Sequence, residues 1–160
     1  SEMCIRDRVE GAGLDEDRQQ RLRLGMSLAD TYRQVWSSAR GHWRVSPQTR
    51  YIVPSRFGYC PFVFRVAEGG WRRDSFEGSH DRFMATEGYW IDVERERLIH
   101  LGAPDPHDAW LPTARVAAEA PTEEDLAVAR VLSGKIIALG AGQKNITIRL
   151  RQKNRTLNFD

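Results

Sequence analysis

The sequence contains little cysteine and little lysine, and each shortage excludes a class of protein. Cys4 and Cys60 are its only cysteines, too few for a disulfide framework or a four-cysteine metal site, so a reducing, cytoplasmic location is expected. No apolar run approaches the roughly 18 to 20 residues of a membrane helix, so no membrane partner is expected. The three lysines (Lys135, Lys144 and Lys153) have no acidic residue two positions earlier, which excludes the Glu-x-Lys motif of restriction-type nucleases.

Motifs that mark common catalytic and metal sites are also missing. The sequence has no P-loop, no G-x-S-x-G and no Cys-x-x-Cys, and its four histidines never occur four residues apart. His107 lies between Asp105 and Asp108, which favours a polar loop over a weak cation site. We therefore predict no metal, no cofactor and no catalysis by the chain itself.

The length and the hydrophobic content fit one soluble domain. The chain has 160 residues, of which 41% are hydrophobic, enough for a single core. Residues 1–8 (SEMCIRDR) resemble translated sequencing-adapter sequence, so we interpret them as a scar to be set aside. Residues 9–17 are rich in glycine and acid and are expected to be a flexible lead-in. A single domain is then predicted over residues 18–160.

Two helices are predicted from capping residues and apolar spacing. The first is expected from Ser27 to Arg40, because Ser27 and Asp30 form a capping box and the apolar residues that follow fall on one helical face. The second begins at Thr122, with Asp125 at the third following position, and ends at Gly134 or alternatively at Leu139.

Alternating apolar residues predict several strands joined as hairpins. Such hairpins favour an α+β domain with an antiparallel, barrel-like sheet and two flanking helices. A Pro- and Asp-rich segment, residues 102–113, is expected to be a connection without regular structure. The expected strands are 51–53, a hairpin of 58–66 with 71–76, a second hairpin of 89–93 with 97–101, and a closing hairpin of 146–150 with 157–159.

Positive charge is concentrated in one stretch of the chain. Residues 31–73 contain eight arginines and one acid, a local excess of 8 − 1 = +7 in a chain whose net charge is +2. Arginine supplies phosphate contacts, and the interleaved aromatic rings can stack on unpaired bases, so RNA or DNA is the predicted partner. The alternatives are that the aromatics pack in the core while the arginines solvate a sheet face, and that arginine is abundant because the coding genome is GC-rich. The predicted nucleic-acid-binding residues are Arg40, Trp43, Arg44, Arg50, Arg56, Trp71, Arg72 and Arg73.

Trp43 has two interpretations that lead to different experiments. It follows the expected helix end at Gly41 and lies between His42 and Arg44, outside any periodic apolar face. An indole there can wedge between a helix end and a sheet with its N–H still bonded, which favours packing. Alternatively, the ring is a stacking platform for a base.

Short motifs over residues 27–101 resemble small PUA-like β-barrel domains. They are an R-G-x-W run at Arg40, the strand-like segment from Tyr59 to Val66, Gly70-Trp71, and Phe76-Glu77-Gly78. The resemblance implies a β-barrel that binds RNA or modified DNA bases. It does not extend over residues 102–160.

Two other functions remain open at this point. A small hydrolase or lyase, metal-assisted or not, would use His80, Asp81, Asp92 and Glu94, and these side chains would have to converge on one pocket. A protein–protein interaction domain would instead show a large exposed apolar patch without converging charge.

Overall fold

The computed structural model describes residues 2–7, 31–41, 43, 45–55, 58–74, 82–136, 145–153 and 156–159. Among them are two helices, α1 (Tyr32–Ala39) and α2 (Glu123–Leu132). No helix among the described residues is long and apolar enough to cross a membrane. The strands are β1 (Glu2–Asp7), β2 (Thr49–Ser55), β3 (Tyr59–Cys60), β4 (Phe64–Val66), β5 (Trp71–Asp74), β6 (Arg82–Ala85), β7 (Gly88–Asp92), β8 (Arg97–Asp105), β9 (Asp108–Val116), β10 (Lys135–Ile136), β11 (Asn145–Lys153) and β12 (Thr156–Phe159).

An eight-stranded sheet organises the molecule, in the order β12-β11-β1-β2-β4-β7-β8-β9. Its pairs are antiparallel apart from β1 with β2, which are parallel. Two further pairs, β3 with β10 and β5 with β6, form small separate sheets. The α+β class is therefore as expected, but among the described strands no closed barrel is found and the sheet is not strongly curled.

Alternate residues of the central strands point to opposite faces of the sheet, and each face carries one helix. Tyr51 and Val53 of β2 belong to a core cluster with Val128 and Leu132 of α2. Ile52, between them in sequence, belongs to the other cluster. That second cluster joins Val35, Trp36 and Ala39 of α1 to Trp43, Phe64, Ala85 and Leu101.

Side chains of α1 also cover the outer edge of β9, the last strand of the sheet. Ser37 Oγ donates to the carbonyl of Trp110 at 2.7 Å, and Arg33 Nη2 donates to that of Pro112 at 2.7 Å. Unpaired backbone groups on an edge strand invite pairing with another chain. Helix α1 thus blocks part of this edge while packing on the same face of the sheet.

The start of α1 differs from the sequence prediction, whereas the start of α2 agrees with it. Thr31 caps α1 in a reciprocal capping box with Gln34, so the helix begins at Tyr32. The expected cap at Ser27 and Asp30 lies outside the described residues. Thr122 caps α2 together with Asp125, and the helix ends at Leu132, before Gly134 adopts a φ of 69°.

The hairpin expected from residues 58–66 and 71–76 is wrong. The first segment is split into β3 and β4 by a break that contains Pro61, which has no N–H for a ladder. Strand β4 pairs with β2 and β7, and β5 pairs with β6 instead. Ala67 N donates to the carbonyl of Glu87, and Thr86 N donates to the carbonyl of Gly70. These bonds close the base of the β5–β6 hairpin, so the strand that returns to pair with β4 is β7.

Residues 102–113 form strands rather than the expected irregular connection. Strands β8 and β9 pair through this segment around a turn at residues 106–107. Pro104 and Pro112 lie opposite each other where the register shifts, which accommodates their missing N–H groups. The hairpin of β7 with β8 and the closing hairpin of β11 with β12 are confirmed.

The segment set aside as a scar takes part in the sheet. Residues 2–7 form β1, which lies between β11 and β2, and Met3 is fully buried. Its origin as adapter sequence stays a prediction. Residues 9–17, the expected lead-in, lie outside the described residues.

Candidate nucleic-acid interface

The hairpin of β5 and β6 is fixed against the C-terminal end of α1 by backbone hydrogen bonds. Trp43 and Phe83 exchange two N–H···O bonds of 2.9 Å each, so Trp43 extends the small sheet by one bridge. Ala85 N donates to the carbonyl of Arg40 at 2.7 Å. Residues 40, 41 and 43 therefore lie alongside β6, and the end of the helix meets the hairpin directly.

Three arginines converge where the hairpin meets the helix. Arg72 lies opposite Met84 in the register of β5 with β6, and Arg82 is two residues before Met84. The side chains of Arg72, Met84 and Arg82 therefore point to the same face of the hairpin. A Cβ built on Gly41 would lie 3.8 Å from Met84 Sδ, which places the end of α1 on that same face. We call Arg40, Arg72 and Arg82 the basic patch.

The register places Asp74 opposite Arg82, and none of the side chains that the structure describes neutralises the charges of the basic patch. Burial, and after it the charge of Arg72, lowers the pKa of Arg40. No carboxylate of the described side chains forms an ion pair with Arg40 or Arg72. The Nε of Arg82 is buried and lacks a hydrogen-bond partner. A bound anion would relieve this repulsion and supply the missing acceptor.

Four of the other sequence-predicted site residues lie elsewhere or serve the core. Trp43 is fully buried and its indole N–H donates to the carbonyl of Ala39, so its ring offers no face to a base. Trp71 is half-buried and donates to the carbonyl of Thr49 at 2.7 Å. Arg50 is 3.6 Å from Glu124 of α2. Arg73 is exposed but alternates with Arg72 and so points to the opposite face of the hairpin.

Arg44 and Arg56 lie outside the described residues. Arg82, in contrast, belongs to the patch but was missed, because the charge excess was counted only to Arg73. The signal that could have found it is the alternation of Arg82 and Met84 about Phe83, which is typical of a strand.

Besides Arg50, two further arginines counted in the local excess are neutralised by acids distant in sequence. Arg33 Nη2 lies 2.6 Å from Asp105 Oδ2. Arg65 is 8% exposed and pairs with Asp125 at 2.5 Å and with Glu119 at 3.2 Å. The effective positive surface is therefore smaller than the +7 that the stretch suggests.

Asp125 is the centre of a buried polar network under α2. Its Oδ1 accepts from the Tyr51 hydroxyl at 2.5 Å, and its Oδ2 accepts from Arg65 at 2.5 Å and from the Thr122 backbone at 2.9 Å. Both carboxylate oxygens are thus occupied, so Asp125 fastens the start of α2 to the sheet and is not available to a substrate.

The same network predicts how stability responds to alkaline pH. Burial, and then the hydrogen bond to Asp125, raises the pKa of Tyr51 above its ordinary value. Unfolded tyrosine ionises at about pH 10, while folded Tyr51 stays protonated at that pH. Above it, unfolding releases a proton, so the free energy of unfolding falls as pH rises. Tyr51→Phe is expected to make this fall shallower by up to about 1.4 kcal/mol per pH unit above pH 10.

Urea unfolding of the two proteins at pH 9 and at about pH 11 measures the effect. Below the pKa of unfolded tyrosine, the Tyr51 hydroxyl is protonated in both the folded and the unfolded state. It then adds nothing to the dependence of the unfolding free energy on pH. An equal loss of stability between the two pH values in both proteins would show that Tyr51 ionises as freely in the fold as outside it.

The residues of the alternative hydrolytic site do not come together in the described part of the chain. Asp92 is 2% exposed and its Oδ2 is held by Arg97 at 2.9 Å and by Arg95 at 3.5 Å. Glu94 lies in the turn after β7, so it does not share a strand face with Asp92. His80 and Asp81 are outside the described residues.

Among the described residues, no group of three or more His, Cys, Asp or Glu side chains could hold a metal ion. Asp105, beside the turn that contains His107, accepts from the His107 backbone at 2.8 Å and pairs with Arg33, so it acts as a turn residue.

Comparison with known proteins yields no match to a family model, to a curated protein or to a solved structure. Within the described side chains, the basic patch is a group of positive charges to which no carboxylate is paired.

Proposed function

We propose that the chain is a nucleic-acid-binding module, acting in the cytoplasm, that holds phosphates on the basic patch and has no catalysis of its own. The observation that carries the proposal is that the end of α1 lies on the hairpin face that bears Arg72 and Arg82, while Arg40 and Arg72 pair with no carboxylate of the described side chains. Guanidinium groups match phosphate oxygens with two parallel hydrogen bonds, so a phosphate is the natural counter-ion.

The resemblance of residues 27–101 to PUA-like domains agrees with this proposal. Buried Asp92, with its two arginine partners, disfavours the hydrolytic alternative. The exposed large hydrophobic side chains of the described residues are Val116, Val131 and Ile136, none of which lies on the β5–β6 hairpin. An apolar protein partner at the patch is therefore not supported.

Arg72→Gln and Arg40→Gln are each expected to weaken binding of a labelled 20-nucleotide strand on the order of tenfold, since a charged hydrogen bond contributes about 1.5–3 kcal/mol. Fluorescence anisotropy at low salt measures the dissociation constant, and thermal melting of each variant confirms that it is folded. Glutamine keeps a polar, hydrogen-bonding side chain while removing the charge.

Arg115→Gln is the matched control, because it removes the same charge from another surface. Arg115 is exposed, and it lies opposite His100 in the register, on the sheet face that carries α2. It is expected to change binding by less than about twofold, as a charge remote from the contact acts only through the screened field. If all three variants weaken binding equally, binding depends on net charge and the patch is not the site.

A further inference from the structure

The aromatic residues that would read bases are already used by the fold. Trp43 has no exposed surface and is bonded at both its backbone and its indole nitrogen. The indole of Trp71 is bonded to Thr49, and its ring packs against the α1 side of the core. Phe83 is the remaining described ring on the hairpin. It is half-buried and lies opposite Trp43 in the β-bridge between them.

Half-buried rings elsewhere on the same side of the sheet cover one another. Tyr32 stacks on Trp90 with ring centres 4.3 Å apart and planes 17° from parallel. Phe62 meets Trp90 edge-on at 5.7 Å. Among the side chains whose burial the structure describes, no aromatic one is exposed. A base approaching the basic patch would thus find guanidinium groups but no free ring face on the described surface.

From this arrangement we infer that the basic patch recognises the sugar-phosphate backbone alone, without stacking on bases or reading their edges. The inference rests on the proposed function and names its substrate class, which is nucleic acid bound by charge rather than by sequence. Three guanidinium groups on one side of a hairpin can follow successive phosphates, whereas base recognition in single strands depends on exposed aromatic platforms. The inference also replaces the expectation that a base stacks on Trp43 or Trp71.

An abasic strand separates this inference from the proposed function. The probes are a labelled 20-nucleotide thymidine strand and a strand of equal length and charge that is built from abasic units. Binding of both to the intact chain is measured by anisotropy at low salt. We expect dissociation constants within about twofold of each other, because a stacked base would contribute about 5- to 150-fold.

Arg72→Gln is then measured with both strands, to show that they occupy the same site, and is expected to weaken the two by the same factor. An abasic strand that binds at least about fivefold more weakly than the thymidine strand would overturn the inference and leave the proposed function intact. A variant that weakens only the thymidine strand would overturn it as well. If neither strand binds, the proposed function fails, and this inference fails with it.

Discussion

Asp125→Ala is expected to lower the free energy of unfolding by about 3–5 kcal/mol. Asp125 has no exposed surface, and its removal leaves Arg65, which is 8% exposed, with a buried charge facing only the half-exposed Glu119. The Tyr51 hydroxyl and the backbone N–H of Thr122 lose their acceptor at the same time. Urea unfolding at pH 7 measures the change.

Arg130→Ala serves as the control, because it also breaks an ion pair that holds α2. Arg130 and Glu96 are 2.7 Å apart but are both more than half exposed, so the loss is expected to be at most about 1 kcal/mol. Adding Arg65→Met to Asp125→Ala should recover part of the stability, since the unpaired buried charge is then gone. Equal costs for Asp125→Ala and Arg130→Ala would show that the network does not stabilise the fold.

Trp43→Ala is expected to cost about 3–5 kcal/mol, because it empties a fully buried site between the end of α1 and the β5–β6 hairpin. Melting should therefore fall by many degrees. Binding of the thymidine strand, measured at a temperature where the variant is still folded, should change little. A stacking platform would give the opposite pair of results, with unchanged melting and binding weakened by about 1–3 kcal/mol.

Trp43→Phe separates the contribution of ring packing to stability from that of the indole hydrogen bond. It keeps most of the ring volume but leaves the carbonyl of Ala39 without the indole donor, so a smaller loss of about 1–3 kcal/mol is expected. Ile136→Ala, at a side chain that is 80% exposed, should stay within about 0.5 kcal/mol of the parent protein. Thermal and urea unfolding of the three variants rank them. A Trp43→Ala protein as stable as Ile136→Ala would place the indole outside the core.

Features of the fold that depend on neighbouring residues could be predicted from the sequence. The cap formed by Thr122 and Asp125 is read from two residues three positions apart, and the structure confirms it. The hairpin of β7 and β8 is confirmed because its strands are separated by a short turn at residues 93–96. Local spacing and short loops leave few alternatives in such cases.

Features that depend on distant partners could not be predicted in this way. Alternation identifies β4 and β5 as strands but does not choose their partners, so the expected hairpin between them proved wrong. Arg65 was counted with a basic surface because its carboxylate, Asp125, lies 60 residues away in the chain. The basic patch likewise unites Arg40 and Arg72 with Arg82 through the fold. The charge excess indicated positive surface, but which arginines stay unpaired depends on tertiary contacts.

The salt dependence of binding tests the role of the basic patch most directly. For a 20-base-pair duplex, each phosphate neutralised contributes about 0.9 to the slope of log K against log salt, so three arginines predict a slope at least as steep as about −2.7. The double variant Arg40→Gln/Arg72→Gln should be shallower by about 1.8, whereas Arg115→Gln should keep the parent slope. A parent slope near zero, or a double variant with the slope of the parent protein, would contradict phosphate binding at the basic patch.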